Sequence, residues 1–367
     1  MKNFLSVVWY RVLPPAYGGQ KGIALFNQYL GKKVPLTCLC SHDNVPGKDL
    51  SYQVVNVLPV SRFQFWDPLT RKKILARIRE QSFSHIIIEH PYHAWIGKYI
   101  KKTGTRFIVH AHNIEHLRMK ARGKFWWWLV KGTEQRAFAL ADHILFKTES
   151  DQSMAIELFG ILPGKCMVVP YGTLEKEQPA AHPETRRDLM RKHEISPDEK
   201  IILFAGTLDY EPNARALENI LEDVIPPLMK KRFRFRLLIC GACPPATLTL
   251  LNSLDHVTAT GFVPCIEDYL QSADVFINPV LSGSGIQTKN IEAIASGCNV
   301  ATTAFAANGL PRYLSGTKVF VSNDHDWERF ADNIIMAASR PAIVPQQFYD
   351  EYNWQNIIDK FLEKADG

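Results

Sequence analysis

The chain has no run of about 18 consecutive apolar residues, so no stretch of it reads as a bilayer-spanning helix. It has no small-residue cleavage site after the short apolar stretch Met1–Tyr10, which therefore reads as a first strand and not as a signal peptide. Its seven cysteines are an odd number for a disulfide framework. Cys38 and Cys40 are too close for a zinc knuckle, and Cys240-Gly-Ala-Cys243 has no partner pair downstream. Free, mostly buried thiols in a reducing cytoplasm are the expectation, and no metal site is expected. No low-complexity tract or short repeat occurs. No Gly-x-Gly-x-x-Gly follows the first strand, since Gly18-Gly19-Gln20-Lys21-Gly22 misses that spacing, which argues against a nicotinamide oxidoreductase.

What is present is enough material for two cores: 367 residues, 46% of them hydrophobic. Charge is uneven along the chain. Residues 1–175 carry 24 Lys and Arg against 12 Asp and Glu, a net of +12; residues 176–367 carry 19 against 25, a net of −6. A basic first half is suited to an anionic partner, such as a membrane surface, a phosphate-bearing acceptor or nucleic acid. The basic residues are scattered and follow no nucleic-acid-binding motif, so no nucleic-acid partner is expected.

Apolar runs at Phe4–Trp9, His85–Glu89, Phe107–His110 and His143–Lys147 alternate with helix-like stretches at Arg71–Gln81, Trp95–Lys102 and Lys131–Ala141. That rhythm predicts crossovers feeding a parallel sheet whose strands are covered on both faces. The polar stretch Gly172–Pro183 carries two prolines, and residues 176–200 read as a linker with a short charged helix. The rhythm then restarts, with strands at Ile201–Ala205, Arg236–Cys240, Val257–Thr260 and Val275–Pro279, and helices at Asn213–Met229 and Gln287–Ser296. The expected architecture is α/β, with two Rossmann-like domains at 1–175 and 201–348 whose parallel sheets face a central cleft. A last helix in 349–367 packs back on the first domain.

The most informative stretch is NPVLSGSGIQTKNIEAIASGCNVATTAFAANGL, Asn278 to Leu310. A strand ends at Asn278-Pro279, a small-residue loop follows at Ser282-Gly283-Ser284-Gly285, and a helix begins near Gln287. Glycines let backbone approach a ligand, and the unpaired N–H groups at a helix start attract anions. Lys289 in the first turn adds a positive charge suited to a diphosphate. Glu292, three residues on, shares its helical face and can accept hydrogen bonds from ribose hydroxyls. The competing reading is an exposed Lys289–Glu292 ion pair.

This segment resembles the donor-site signature of the GT-B glycosyltransferases, in particular retaining family 4. Glu292-Ala293-Ile294-Ala295-Ser296-Gly297 resembles the second half of a family motif with two glutamates eight positions apart. The first would fall at 284, where this chain has serine. A subset of the family is similar in its Gly-Ser-Gly loop and its lysine at the helix start. The resemblance implies a metal-independent transferase with no cofactor, taking a UDP- or GDP-linked sugar as substrate. The donor would be held by Gly283, Ser284, Gly285, Ile286, Gln287 and Thr288 with Lys289 and Glu292. Ala205-Gly206-Thr207-Leu208-Asp209-Tyr210-Glu211-Pro212-Asn213 resembles the family's strand-to-loop element, with Gly206 near the donor phosphates. The usual Arg/Lys pair downstream of that glycine is absent. Thr260-Gly261-Phe262-Val263 resembles the element whose backbone meets the base. Gly18 and Gly19 resemble its N-terminal glycine loop, and Tyr352-Asn353-Trp354 with the last helix resembles its C-terminal segment. The stretch His110-Ala111-His112-Asn113-Ile114-Glu115 lies where the family often has a histidine near the sugar.

Of these histidines, His110 and His112 are expected on opposite sides of their strand, with His112 the one near the sugar. His90 and His93, after another strand end, are weaker candidates. Asp324-His325-Asp326 resembles the acidic motif of a metal-dependent fold, but helix capping explains it better. Three consecutive tryptophans, Trp126–Trp128, stand among Arg118, Lys120, Arg122, Lys124 and Lys131. Either they lie in a membrane interface or they belong to a partly buried helix with one surface aromatic. The expected partners are a nucleotide-sugar donor and a sugar or lipid-linked acceptor, at the cytoplasmic face of a membrane if the first half touches lipid. Surface polysaccharide or lipopolysaccharide assembly would suit such an acceptor. A nucleotide-sugar epimerase of the same fold and an inactive donor-binding scaffold are the alternatives.

Overall fold

A computed structural model describes residues 2–283, 285–341 and 343–365. The chain folds as two compact units, Met1–Gly172 with Trp354–Gly367, and Thr173–Asn353. The first holds seven strands: β1 (Phe4–Val8), β2 (Leu36–Ser41), β3 (Gln53–Leu58), β4 (His85–Glu89), β5 (Arg106–Ala111), β6 (His143–Phe146) and β7 (Cys166–Val168). They form one sheet in the order β3-β2-β1-β4-β5-β6-β7, every pair parallel. The second unit holds six: β8 (Lys200–Ala205), β9 (Phe235–Cys240), β10 (Val257–Gly261), β11 (Val275–Asn278), β12 (Val300–Thr303) and β13 (Val319–Ser322). Their order is β10-β9-β8-β11-β12-β13, again all parallel.

Both sheets thus carry the doubly wound order in which the first strand of the unit lies beside the fourth. Neighbouring connections leave such a sheet to opposite faces at that point, and the loops beyond the strand ends diverge there. In the first unit it lies between β1 and β4; in the second, between β8 and β11. The central strands explain why they pair this way. FLSVV and HIIIE are buried along their whole length, as strands covered by helices on both faces must be. Each unit has its own apolar core, one around Leu5, Ile86, Val109 and Phe146, the other around Phe204, Leu237, Ile277 and Phe330.

The C-terminal helix Trp354–Ala365 belongs to the first unit. Its Phe361 packs against Phe4 and Phe26, and the Lys364 ammonium donates to the Cys166 carbonyl. The preceding helix Gln346–Tyr352 belongs to the second unit. Residues 176–200, read from sequence as a linker, also lie within the second unit. They carry a helix, Pro183–Lys192, with Leu189 buried and the Arg186 guanidinium paired with Asp274 at 2.8 Å. All seven cysteines are free; five are buried, while Cys265 is exposed and Cys243 is partly so.

Candidate active site

In the second unit, the expected residues gather at the carboxyl edge of the sheet, around the β8–β11 switch point. Strand β11 ends at Asn278, whose side-chain amide donates to Asn290 Oδ1 at 3.0 Å. Asn290 is buried and in turn donates to the Ala306 carbonyl, which fixes the start of the helix Thr288–Ala295 over the strand ends. The intervening loop turns on two left-handed glycines, Gly283 at φ +129° and Gly285 at φ +74°. Any side chain there would strain the backbone, so both glycines have a conformational reason. Ser284 lies outside the described residues. Ile286, Gln287 and Thr288 complete the approach, and Gln287 at the cap position makes no side-chain capping bond. The first turn holds no acid. Its N–H groups and the positive end of the helix dipole therefore face no competing carboxylate of that turn.

Lys289 is not the exposed ion-pair partner that a surface helix would give. Its ammonium donates to Asn213 Oδ1 at 2.8 Å and lies over the Phe204 ring, 5.3 Å from the centroid. Burial pushes its pKa down to about 8, against the opposing pull of Glu292. Asn213 is held in turn by its own amide, which donates to the Thr207 carbonyl at 2.9 Å. Asn213 was missed as a site residue from sequence; its only signal was a place at the end of the β8 loop element. Glu292 is half-buried on the same helix, one turn beyond Lys289.

Gly206 follows β8, where the absence of a side chain has a local packing reason. A Cβ there would meet the Asn213 side chain at 2.7 Å, so the glycine makes room for the residue that orients Lys289. A Cβ on Gly241, after β9, would fall 2.0 Å from the Gly206 carbonyl oxygen. Gly241 donates its N–H to the Gly261 carbonyl at 2.8 Å. Three glycines at the ends of β8, β9 and β10 thus press three loops together. Beyond Gly261, Phe262 is exposed and Val263 half-buried.

In the first unit the carboxyl edge carries a different chemistry. Gly18 and Gly19 open the helix Gly18–Gly31, which likewise has no side-chain cap. Strand β4 ends in Glu89, fully buried, and β5 leads to His110 and His112. His112 Nε2 lies 2.5 Å from Glu89 Oε2, and His110 Nδ1 lies 3.0 Å from the same oxygen. The expectation that His110 and His112 point to opposite sides is therefore wrong. Alternate residues of an extended chain share a face, and their rings lie 4.3 Å apart. Burial, with His110 beside it, holds the His112 pKa well below the ordinary imidazole value, against the pull of Glu89.

Glu89, His110 and His112 are close enough together to ligate one ion. The Lys147 side chain is buried beside them, and Glu89 works against the burial that lowers its pKa to about 8. A positive charge is thus already available to that carboxylate. His90 instead bonds Glu115 at 3.2 Å, and Glu115 also accepts from Tyr92 at 2.8 Å and Arg118 at 2.6 Å. His93 is packed in the core beside Phe65 and Trp95, where burial lowers its pKa to about 3. Glu89 and Lys147 were not singled out from sequence, because a single acid or lysine at a strand end carries no motif; Glu115 closed the histidine stretch but was given no role there. Asp326 caps the helix Trp327–Ala338 through the Arg329 N–H, as capping chemistry predicted.

Comparison with known proteins agrees with this architecture. Residues 22–173 match the family described as Glycosyltransferase Family 4, and residues 199–340 match Glycosyl transferases group 1. No curated protein matches by sequence. Among solved structures, sucrose-phosphate synthase from Thermosynechococcus elongatus superposes with a TM-score of 0.73 at 16% identity, over 99% of this chain and 98% of that one. HepE from Anabaena, solved in complex with UDP, gives 0.74 at 13% identity over the whole of both chains. WaaG, described as a glycosyltransferase involved in lipopolysaccharide biosynthesis, gives 0.67 at 13% identity over 99% of this chain and 100% of that one. The epimerase and oxidoreductase readings give way to these matches. With each half matched to its own glycosyltransferase family and both sheets in Rossmann-like order, the chain belongs to the GT-B glycosyltransferases of the family 4, group 1 kind.

Proposed function

We propose that this glycosyltransferase takes its sugar from a nucleoside diphosphate donor bound on the second unit, with retention of configuration and without a metal ion. The carrying observation is the Asn213–Lys289 bond at the uncapped start of the helix Thr288–Ala295. It presents an ammonium and free N–H groups where a diphosphate can be held. In this reading the loop from Gly283 through Thr288 and Lys289 binds the diphosphate. Glu292 accepts from the ribose hydroxyls, and the backbone at Phe262–Val263 meets the base. On the first unit, His112 and the Gly18–Gly19 helix start are the candidate ligand-facing groups.

The bond from the anomeric carbon to the donor phosphate oxygen breaks, and the acceptor oxygen bonds that carbon on the same face. The acceptor proton passes to the departing phosphate. The protein's main task is then to stabilise charge on the leaving diphosphate, which fixed N–H dipoles and a desolvated lysine do well. Positive charge supplied by Lys289 and the helix start supports the metal-free reading. The UDP-bound structure of HepE supports UDP as the first nucleotide to try. The basic first unit, together with the WaaG relative, supports a lipid-linked acceptor at a membrane face, in surface polysaccharide or lipopolysaccharide assembly.

The test is nucleoside diphosphate release from UDP-, GDP- and ADP-linked sugars, with and without EDTA, followed by NMR of the product anomer. Release from one donor, insensitive to EDTA, with the anomeric configuration kept, supports the reading. Inversion or a strict divalent-ion requirement overturns its finer parts. Binding without turnover would instead favour a donor-binding scaffold.

A further inference from the structure

The largest exposed aromatics of the first unit lie in two short segments. In residues 60–69, Phe63 is 78% exposed, Trp66 69% and Leu69 68%. In residues 125–129, Phe125 is 85% exposed and Trp128 59%. Single exposed apolar residues are ordinary, but grouped ones mark an interaction surface.

Neither segment is a loose tip. The buried Gln64 amide donates to the carbonyls of Trp9, Pro59 and Ser61, which locks the 3-10 turn Arg62–Phe65 against the end of β1. Phe65 stacks on Tyr92 with ring centroids 4.8 Å apart, and Tyr92 bonds Glu115 at 2.8 Å. Glu115 begins the helix Glu115–Ala121, whose Lys120 ammonium lies 5.3 Å from the Trp127 ring centroid. Trp127 starts the helix Trp127–Leu140. One chain of contacts therefore joins the two aromatic segments along the connections leaving β3, β4 and β5. Inward-facing neighbours fix both segments while their outermost rings stay in solvent.

Charge selects the partner. Residues 116–133 contain Arg118, Lys120, Arg122, Lys124 and Lys131 and no acid. Residues 60–79 contain six basic residues and one acid, Asp67. That acid is taken up by the backbone: it caps the helix Pro68–Glu80 through the N–H groups of Leu69 and Thr70. Arg71, Lys72, Lys73, Lys120, Arg122 and Lys124 are exposed. Aromatic and aliphatic side chains set among exposed cations match the boundary of an anionic bilayer, where rings enter between headgroups and ammonium groups meet phosphates.

We propose that the segments 60–73 and 120–131 together form a docking surface for an anionic phospholipid bilayer, with Phe63, Trp66, Phe125 and Trp128 as the inserting side chains. This deepens the reading of a lipid-linked acceptor, since it names the face that would bring the enzyme to its substrate. The contact itself is independent of turnover.

The test is sedimentation of the full chain with vesicles of phosphatidylglycerol and phosphatidylcholine, against vesicles of phosphatidylcholine alone. Two double variants, F63S/W66S and F125S/W128S, are run beside the wild type, with donor hydrolysis measured separately on each in vesicle-free buffer. The expected result is binding only to the anionic vesicles, weakening as salt is raised, and about tenfold weaker in each variant. Unchanged vesicle-free hydrolysis in the variants shows that folding and the donor site are intact. No binding to anionic vesicles overturns the proposal, as does binding that both variants retain in full. A wild type that self-associates, with variants that are monomeric, also overturns it by assigning the surface to a second copy. Loss of donor turnover in the wild type would count against the transferase reading and leave the vesicle result to stand or fall alone.

Discussion

Glu89 Oε2 lies 2.5 Å from His112 Nε2, at the carboxyl edge of the first sheet. A carboxylate only accepts hydrogen bonds, so Nε2 carries the proton and Nδ1 is left as an acceptor. His112 Nδ1 is therefore able to accept from a hydroxyl. Glu89→Gln offers Nε2 an amide that can donate as well as accept, and so loosens that choice. We expect kcat to fall by about tenfold to a hundredfold with little change in donor KM, as displacement of a positioned group does. Imidazole 15N shifts of the free protein check the tautomer directly. An unchanged kcat together with an unchanged tautomer would show that Glu89 merely packs.

Asn213, in the helix Glu211–Asn219 that follows β8, anchors Lys289, 76 residues later in the chain. Asn213→Ala should leave the ammonium without its fixed partner and weaken nucleotide binding by about tenfold, the scale of one charge-assisted hydrogen bond. Lys289→Met should weaken it further. Calorimetric titration with UDP separates the two, and equal affinity in all three proteins would contradict the role given to this pair.

The same lysine predicts a pH dependence. Burial has lowered its pKa to about 8, so the charge is present below that value and is lost as pH rises through it. Nucleotide affinity should be flat from pH 6 to 7.5 and then fall, by up to about tenfold per pH unit, as the charged fraction falls. Lys289→Met should abolish the slope. A slope that persists in the variant would assign the titration to another group.

Gly241 is the tightest point of the second sheet's carboxyl edge. A Cβ there would lie 2.0 Å from the Gly206 carbonyl oxygen, at a φ of +155°. Gly241→Ala should lower stability by ~2–4 kcal/mol, through overlap with backbone that cannot turn aside. Gly316→Ala, with φ +75° and open space around it, should cost less, ~1–2 kcal/mol from backbone strain alone. Urea unfolding of both variants tests the ranking.

Much of the fold could be read in advance because the central strands are apolar along their whole length. HIIIE, FLSVV and VFIN announce themselves, and the loop after VFIN holds Gly283 and Gly285. The strands that were missed are β2, β3, β7, β12 and β13. LTCLCS and VATT are buried too, but hydroxyls and thiols dilute their hydrophobic signal. The helix Gly18–Gly31 was missed because it opens on two glycines and has no capping side chain, the usual start signals being absent. In the site, the loop and the helix Thr288–Ala295 were legible because one continuous segment carries them. Asn213, Glu89 and Lys147 were not, since each owes its place to partners distant in sequence that the strand order alone brings together.

The central claim is that the second unit holds a nucleoside diphosphate through the helix Thr288–Ala295. Thermal unfolding of the wild type and of Glu292→Ala, each with UDP, GDP, ADP and CMP, tests it most directly. A nucleotide present at about 100 times its dissociation constant should stabilise the wild type by about 2.7 kcal/mol. That shift is expected with one nucleoside diphosphate, UDP first, and its loss or strong reduction in Glu292→Ala. No shift with any nucleotide, or an equal shift in the variant, would contradict it.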